Sequence, residues 1–435
     1  MTWKTPKTNC AKKTHASFIS SCFFFSFRLL QGQRPQAQSF PNLAFLLLRN
    51  MKRRRFELRD YVTDGRLALP LETLKDIGSI TVAEAMMGLP LPFPFKRADL
   101  LGREQAMFAA LCDSHPECSA EAYRYDRYSF KTRLPLETYR GQPLAFVSQE
   151  EDYVRMNALT DTYTEPQRLA ARLHFQALSP LDQFKSDAVF VRKVLDHLIA
   201  AARAPLVTPT ELREAIWLQT KECTQFKAKL ACDVFRFFKA RRVLDMSAGW
   251  GDRLLGALAV GVDVYAGFDP NLALKAGHDE ILEKFAGETK ATIAYEPFEQ
   301  AALEKQVFFD LAFSSPPFFD FEVYETKSQQ QSIQSFPSFE AWFRDFLLVS
   351  LEKCWSQLQE RGHLVIHMAD FGRHKICEPM ILWALAALPD CTYHGTIASV
   401  GRAEKPRPLF VFQKTRAKNQ EWAALKLRQH FSHLL

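Results

Sequence analysis

The sequence predicts an α/β protein: a seven-stranded, mostly parallel sheet with helices on both faces, preceded by a smaller mixed, helical N-terminal domain. Three observations predict it. Seven short apolar runs follow residue 240. Segments of helical spacing separate the first five, and a turn of small residues joins the first run to the helix behind it. Strands that alternate with helices bury both sheet faces, so they read as continuous apolar runs rather than as alternating ones.

The first 50 residues stand apart from this fold. They hold no Asp or Glu, and the first acidic residue of the chain is Glu57. The apolar stretch "SFISSCFFFSFRLL" (17–30) is too short and too interrupted to span a bilayer as a helix. It reads either as a targeting segment or as an upstream extension ahead of a working start at Met51, and no small-residue cleavage site favours targeting. The 11 basic residues up to Arg55 supply the excess charge; beyond them 45 Lys and Arg face 49 Asp and Glu. The body is therefore no basic clamp for nucleic acid, and any polyanion site is a local patch. Nine scattered cysteines without C-x-x-C spacing predict reduced thiols in an intracellular, reducing compartment, with no disulfide framework and no zinc site. No membrane partner is expected.

Residues 51–205 read as the N-terminal domain. "LPLPFPFK" is extended and fixed by proline. "RADLLGREQAMFAALCDS" has helical spacing, with Leu100, Leu101, Met107, Phe108 and Leu111 near one face. "YRYDRYSFKTR" (123–133) interleaves rings with basic residues, as a surface for single-stranded nucleic acid or a solvated strand pair does. Residues 165–203 read as two helices. A boundary falls near 205, after which Thr208, Pro209 and Glu211 spell a helix start with a capping box.

Residues 206–435 carry the sheet. Strands are predicted at 241–247, 262–270, 291–297, 307–317, 362–370, 391–400 and 407–414, the last two as an antiparallel hairpin at one end. In "VLDMSAGWGDRLLGAL", Asp245 ends the first strand, and Ser247, Ala248, Gly249 and Gly251 precede a helix. Small residues there let a ligand lie against bare backbone at the helix N-terminus. Asp269, in "GFDPN", ends the next strand where ribose hydroxyls can donate to it. Glycines 249, 251 and 256 do not spell G-x-G-x-x-G, and no P-loop motif occurs. An acidic Asp245 suits the cationic methionine moiety of S-adenosylmethionine better than a pyrophosphate.

The fourth strand ends in "LAFSSPPFFDFEVYE" (311–325), where two prolines stop the ladder and rings follow. From about residue 221 to 415 the chain resembles the class I, Rossmann-like, S-adenosylmethionine-dependent methyltransferases. More narrowly it resembles the DNA amino-methyltransferases of cytosine N4 or adenine N6. Their signature D/N/S-P-P-Y/F/W is matched by Ser315, Pro316, Pro317 and Phe318. The resemblance implies that Thr224, Gln225 and Phe226 lie near the methionine end of the cofactor and that Phe298 and Glu299 border its adenine. It also implies that Ser315 and the Pro316 carbonyl accept the amine hydrogens of a base stacked on Phe318. Those bonds free the nitrogen lone pair for in-line attack, on a base extruded from its stack. Serine in the first signature position leans towards cytosine N4.

About 100 residues follow the signature and read as sheet, which leaves recognition to 51–205. DNA is expected ahead of RNA, with an exposed loop base in RNA as the alternative. An inactive cofactor-binding scaffold is the reading from another class, and a nicotinamide oxidoreductase is disfavoured by the glycine spacing. Phe336, Phe339 and Trp342 fit either a lid or the core. His363, His367 and His374 read as structural, Asp370 as a base contact, and Arg402, Lys405 and Arg407 as phosphate contacts or a solvated loop.

Overall fold

Every apolar run after residue 240 becomes a strand in the computed structural model, which describes residues 56–116, 118–119, 144–147, 150–303, 309–324, 331–370, 372–400, 407–415 and 421–435. The chain divides into two units, Met1–Phe56 and Glu57–Leu435, and the fold is that of the second. The expectations on residues 1–50, on the 123–133 cluster and on Arg402 and Lys405 lie outside the described residues, as does the side chain of Arg407.

Among the described residues the strands of the main sheet are β1 (Cys118–Ser119), β2 (Leu144–Val147), β3 (Arg242–Asp245), β4 (Val264–Phe268), β5 (Lys290–Ala294), β6 (Phe309–Ser314), β7 (Leu358–His367), β8 (Cys391–Val400) and β9 (Arg407–Lys414). They lie side by side as β5-β4-β3-β6-β7-β9-β8-β2-β1. The five strands from β5 to β7 run parallel, and β9 runs antiparallel to both of its neighbours. The seven strands expected are present, and their order is that of a Rossmann-like class I methyltransferase fold. Two points correct the sequence reading. The β8–β9 pair is antiparallel as expected, but β9 inserts between β7 and β8. Nor does β8 close the sheet: β2 adds to it in parallel and β1 to β2 in antiparallel, so nine strands form the sheet. An apolar strand such as β8 left at an edge would template unwanted pairing, and β2 covers it.

Helices α1 (Glu150–Ala170), α2 (Pro209–Gln219), α3 (Ala228–Phe238), α4 (Asp252–Val260), α5 (Lys275–Phe285), α6 (Val349–Gln357), α7 (Cys377–Ala387) and α8 (Glu421–Phe431) surround the sheet. Alternate strand residues feed opposite cores. Val243, Leu311, Phe313 and Val365 pack with α3, α4 and α5; Leu244, Ala312, Leu364 and Ile366 pack with α6, α7 and α8. No helix joins β5 to β6 among the described residues, contrary to the alternation expected. Instead a turn forms, with the Gln300 and Ala301 amides donating to the Pro297 carbonyl.

Ahead of the sheet, the single helix expected over 97–114 is two, Arg97–Leu100 and Glu104–Asp113. Gly102 breaks it at φ +82, which leaves Leu101 55% exposed while Met107 and Leu111 are buried. The last expected helix before residue 205 likewise splits into Pro180–Ser186 and Ala188–Ala201, with the Asp187 side chain capping the second. The start of α2 follows its sequence: Thr208 N–H donates to the Glu211 carboxylate at 3.2 Å. The change of sequence character near 205 falls inside the compact unit of Glu57–Leu435.

Helix α1 buries polar residues as well as the apolar Met156, Leu159, Tyr163 and Leu169. Thr160, Asp161, Thr164, Glu165 and Arg168 are all buried. Arg168 pairs with Asp161 and Glu222, and Arg213 of α2 pairs with Glu165 and Glu222. Burial, with Asp161 nearby, raises the Glu165 carboxyl above the usual carboxylate range. Deleting one member of such a network leaves a buried charge without its partner, at about 3–5 kcal/mol.

Candidate active site

Strands β3 and β6 are neighbours, but the chain leaves β3 towards β4 on one side and β6 towards β7 on the other. At such a reversal the loops diverge beyond the carboxyl ends of the strands and leave a crevice. The turn from Asp245 to Gly251 and the Ser315–Phe318 signature both begin there. Ser314 Oγ donates to Asp245 Oδ1 at 2.7 Å and ties the two strand ends together.

Asp245 itself does not face the crevice. It is fully buried, and besides Ser314 its carboxylate accepts from Arg253 Nε (2.7 Å), the Tyr265 hydroxyl (2.8 Å) and Ser247 N–H (3.2 Å). With Arg253 beside it and four donors on it, its charge is answered from within. The expectation that Asp245 meets the cationic end of a cofactor is corrected: it holds the turn in shape. What disfavours a dinucleotide is then the glycine spacing, not this carboxylate.

The turn is built for bare backbone. Gly249 sits at φ +62 and Gly251 at φ +104, a conformation that side-chain-bearing residues rarely adopt. Gly249 donates its N–H to Asp269 Oδ2 at 2.8 Å, and Asn271 N–H donates to Asp269 Oδ1 at 3.0 Å. The Gly249 carbonyl lies 3.0 Å from His278 Nε2, and His278 Nδ1 lies 3.0 Å from the Tyr295 hydroxyl. A carbonyl only accepts, so Nε2 carries the proton and Nδ1 accepts from tyrosine. Burial pushes His278 down to about 4 and keeps it neutral. Ala248 N–H donates to the Phe268 carbonyl at 2.7 Å, and Ser247 is half-buried beside it. Each Asp269 oxygen accepts one of these backbone bonds and has capacity for another, and burial pushes this carboxyl up to about 6.

The segment ahead of α3 reaches the same place. Thr224 is exposed, and its N–H is held by Glu322 at 2.7 Å. Gln225 Nε2 donates to Asp252 Oδ1 at 3.1 Å, which also accepts from Thr160 Oγ1 at 2.7 Å. Asp252, the first residue of α4, was missed in the sequence although it stands inside "GWGDR". Its Oδ2 is buried without a hydrogen-bond partner, and burial pushes the carboxyl up to about 7. The Phe226 ring lies 5.6 Å from the rings of Phe313 and His367, with the Arg253 guanidinium 5.1 Å above it.

In the signature, Ser315 and Phe318 are half-buried, Pro316 is buried and Pro317 is half-buried. Ser315 Oγ lies 2.8 Å from His367 Nδ1, and the Phe318 ring lies 5.5 Å from the same imidazole. His367, read as plain structure in the sequence, is thus part of the site. Phe319 follows at φ +53, a strained conformation for a large side chain. Its ring is gripped by Phe339, Trp342 and His374. Phe339 and Trp342 are therefore core, with Phe336 packed against them, and not a lid.

Three further expectations move. Phe298 is 2% exposed with its ring on Phe268, so it offers no face to an adenine. Glu299 beside it has a buried Oε1 without a hydrogen-bond partner, and burial pushes its carboxyl up; Lys353 fixes the turn by donating to the carbonyls of Phe298, Glu299 and Ala301. Asp370 accepts from the amides of Ile376 and Cys377 at the start of α7, which makes it a helix cap and not a base contact. Among the described residues no His, Cys, Asp or Glu cluster is placed to hold a metal ion, and no helix is long and apolar enough to cross a membrane.

No family model and no curated protein matches the sequence. Among solved structures the chain is similar to TrmN from Thermus thermophilus at 17% identity and TM-score 0.31, over 43% of this chain and 49% of that one. This chain thus spans about half the length of that protein. It is also similar to an rRNA methylase from Streptococcus thermophilus (14% identity, TM-score 0.31, 44% and 99% of the two chains). A third is the O-methyltransferase from a trans-AT PKS multienzyme of Brevibacillus brevis, in complex with S-adenosyl-L-homocysteine (14%, 0.30, 48% and 80%). The fold assignment rests on the strand order and not on these likenesses.

Proposed function

We propose that this chain is a methyltransferase acting on the exocyclic amine of a nucleobase. One observation carries the reading: the glycine turn and the Ser-Pro-Pro-Phe corner follow the carboxyl ends of neighbouring parallel strands, which the Ser314–Asp245 bond joins. The methyl donor is S-adenosylmethionine, which supplies an electrophilic methyl group when bound. The residues fit it. Gly249 leaves its outer side free, with nothing closer than 3.8 Å to an added Cβ. Asp269 keeps acceptor capacity for ribose hydroxyls, and the orphan Asp252 Oδ2 beside Gln225 suits the ammonium of a methionine moiety.

The other half of the crevice suits the acceptor. Ser315 and the Pro316 carbonyl take the amine hydrogens, which draws the nitrogen towards a tetrahedral geometry and frees its lone pair. The half-buried Phe318 offers a ring face to an unstacked base. The preference for DNA over RNA finds no support. The near-balanced charge of the body favours a base that is already unpaired over tight duplex binding, and residues 51–205 are proposed as the recognition region.

Methyl-labelled S-adenosylmethionine offered with duplex DNA, single-stranded DNA, structured RNA or protein tests the reading, with labelled products digested to nucleosides. Label in N6-methyladenine or N4-methylcytosine is expected. Pro316→Ala and Phe318→Ala should abolish it while cofactor affinity stays within a few-fold. Label in protein, or cofactor binding without turnover, would sink the reading and leave an inactive scaffold or another acceptor in its place.

A further inference from the structure

Resting on that function, we infer that Ser315 and His367 act as a proton-relaying pair for methyl transfer. A serine hydroxyl has one proton to donate and two lone pairs to accept with. Ser315 can receive an amine hydrogen with good geometry only if its own proton is directed elsewhere, and His367 Nδ1, 2.8 Å away, is the acceptor for it. The sheet makes this pairing. In the parallel register of β6 and β7, Ser314 stands opposite Ile366, so the next residues, Ser315 and His367, leave the strand ends side by side. The Phe226 ring meets the imidazole edge-on at 75°, and Phe318 lies against it from the crevice. His367 is 8% exposed, so it sits largely out of bulk water without being sealed from it.

The relay balances. As the amine lone pair forms the new N–C bond, the C–S bond of the donor sulfonium breaks and its electron pair stays on sulfur. The nitrogen now carries one proton too many. That proton passes to Ser315 Oγ while the Ser315 proton passes to His367 Nδ1, and the imidazolium returns it to water. His367 thus directs the serine lone pairs at the amine beforehand and holds the released proton afterwards.

Single-turnover and steady-state kinetics of His367→Phe, His367→Asn, Ser315→Ala and the Ser315→Ala/His367→Phe double variant test this. The Phe variant keeps a ring without nitrogen and should lower kcat about a hundredfold, the low end of what proton transfer contributes, with cofactor Kd unchanged. The Phe variant loses the acceptor and should also raise KM for the base; the Asn variant can still accept the serine proton but cannot hold a positive charge, so it should return KM towards wild type and not kcat. Two residues acting as a unit are not additive, so the double variant should be no slower than either single one. A kcat within threefold of wild type in His367→Phe, or losses that multiply in the double variant, would overturn the pair. Imidazole ¹⁵N signals of the unliganded protein give a readout independent of turnover. The His367 Nδ1 resonance should shift on Ser315→Ala, and an unmoved signal overturns the hydrogen bond. A wild-type enzyme that methylates no base while this signal does move would reject the proposed reaction, not the pairing.

Discussion

Alanine at Gly249 and alanine at Gly251 should fail in different ways, although the two glycines stand two residues apart in one turn. At Gly249, φ is +62, and left-handed backbone costs an L-residue about 1–2 kcal/mol. Alanine also narrows the unfolded ensemble, which returns about 0.4–1 kcal/mol. An added Cβ meets only Arg253 Nη2 and the Ser247 carbonyl, both at 3.8 Å. The net loss of stability should thus be about 1 kcal/mol. The methyl group instead projects into the space assigned to the cofactor, so affinity for S-adenosylmethionine should fall more than about tenfold, or about 1.4 kcal/mol. At Gly251, φ is +104, and the Cβ would sit 3.1 Å from Ile281 Cδ1 and 3.3 Å from His278 Cδ2. Strain and crowding together should cost about 2–3 kcal/mol of stability. Urea unfolding of the ligand-free variants and calorimetric titration with the cofactor separate the two effects. If Gly249→Ala binds S-adenosylmethionine within twofold of wild type, the cofactor does not lie on this turn. If it unfolds as easily as Gly251→Ala, the open side assigned to Gly249 is wrong.

Cofactor affinity should climb as pH rises from 5 to 8. Asp269 and Asp252, raised to about 6 and about 7, accept from ribose and ammonium only when ionised, and His278, lowered to about 4, stays neutral throughout. Asp252→Asn should flatten the upper part of that curve, and a flat wild-type profile would contradict the assignment. In Gly277→Ala the new methyl would land 2.6 Å from the Tyr163 carbonyl oxygen of α1. Backbone cannot yield as a side-chain tip can, so α1 and α5 must part, with a loss of about 1–3 kcal/mol in urea unfolding. An unchanged midpoint would mean that the helices pack more loosely than described.

The strands were legible because burial on both faces writes each one as an unbroken apolar run, and the turn and the corner because glycine and proline have so few conformational uses. What escaped depends on neighbours far away in the chain. His367 gains its meaning from register with β6, which no spacing within "HLVIHMAD" reveals. Asp252 gains its meaning from an oxygen that the surrounding fold leaves unanswered. Asp245 looked available because the partners that saturate it, Tyr265 and Ser314, come from other strands. The pairing of β2 with β8 joins segments whose sequences hold no sign of each other, so the extra strands of the sheet stayed hidden.

That pairing bears on how the chain is made. Leu144 waits for Ile397, and β7 and β8 have no neighbour between them until β9 is synthesised. On the ribosome, β2 therefore emerges long before its partner, and the sheet closes only when the strand at Arg407–Lys414 slots into its middle. A chain halted ahead of that strand would present open strand edges on either side of a gap, the kind of surface that recruits chaperones or seeds aggregates. Translation past residue 414 is in this sense the step that commits the sheet, and premature truncation there should yield degradation rather than a partly active fragment.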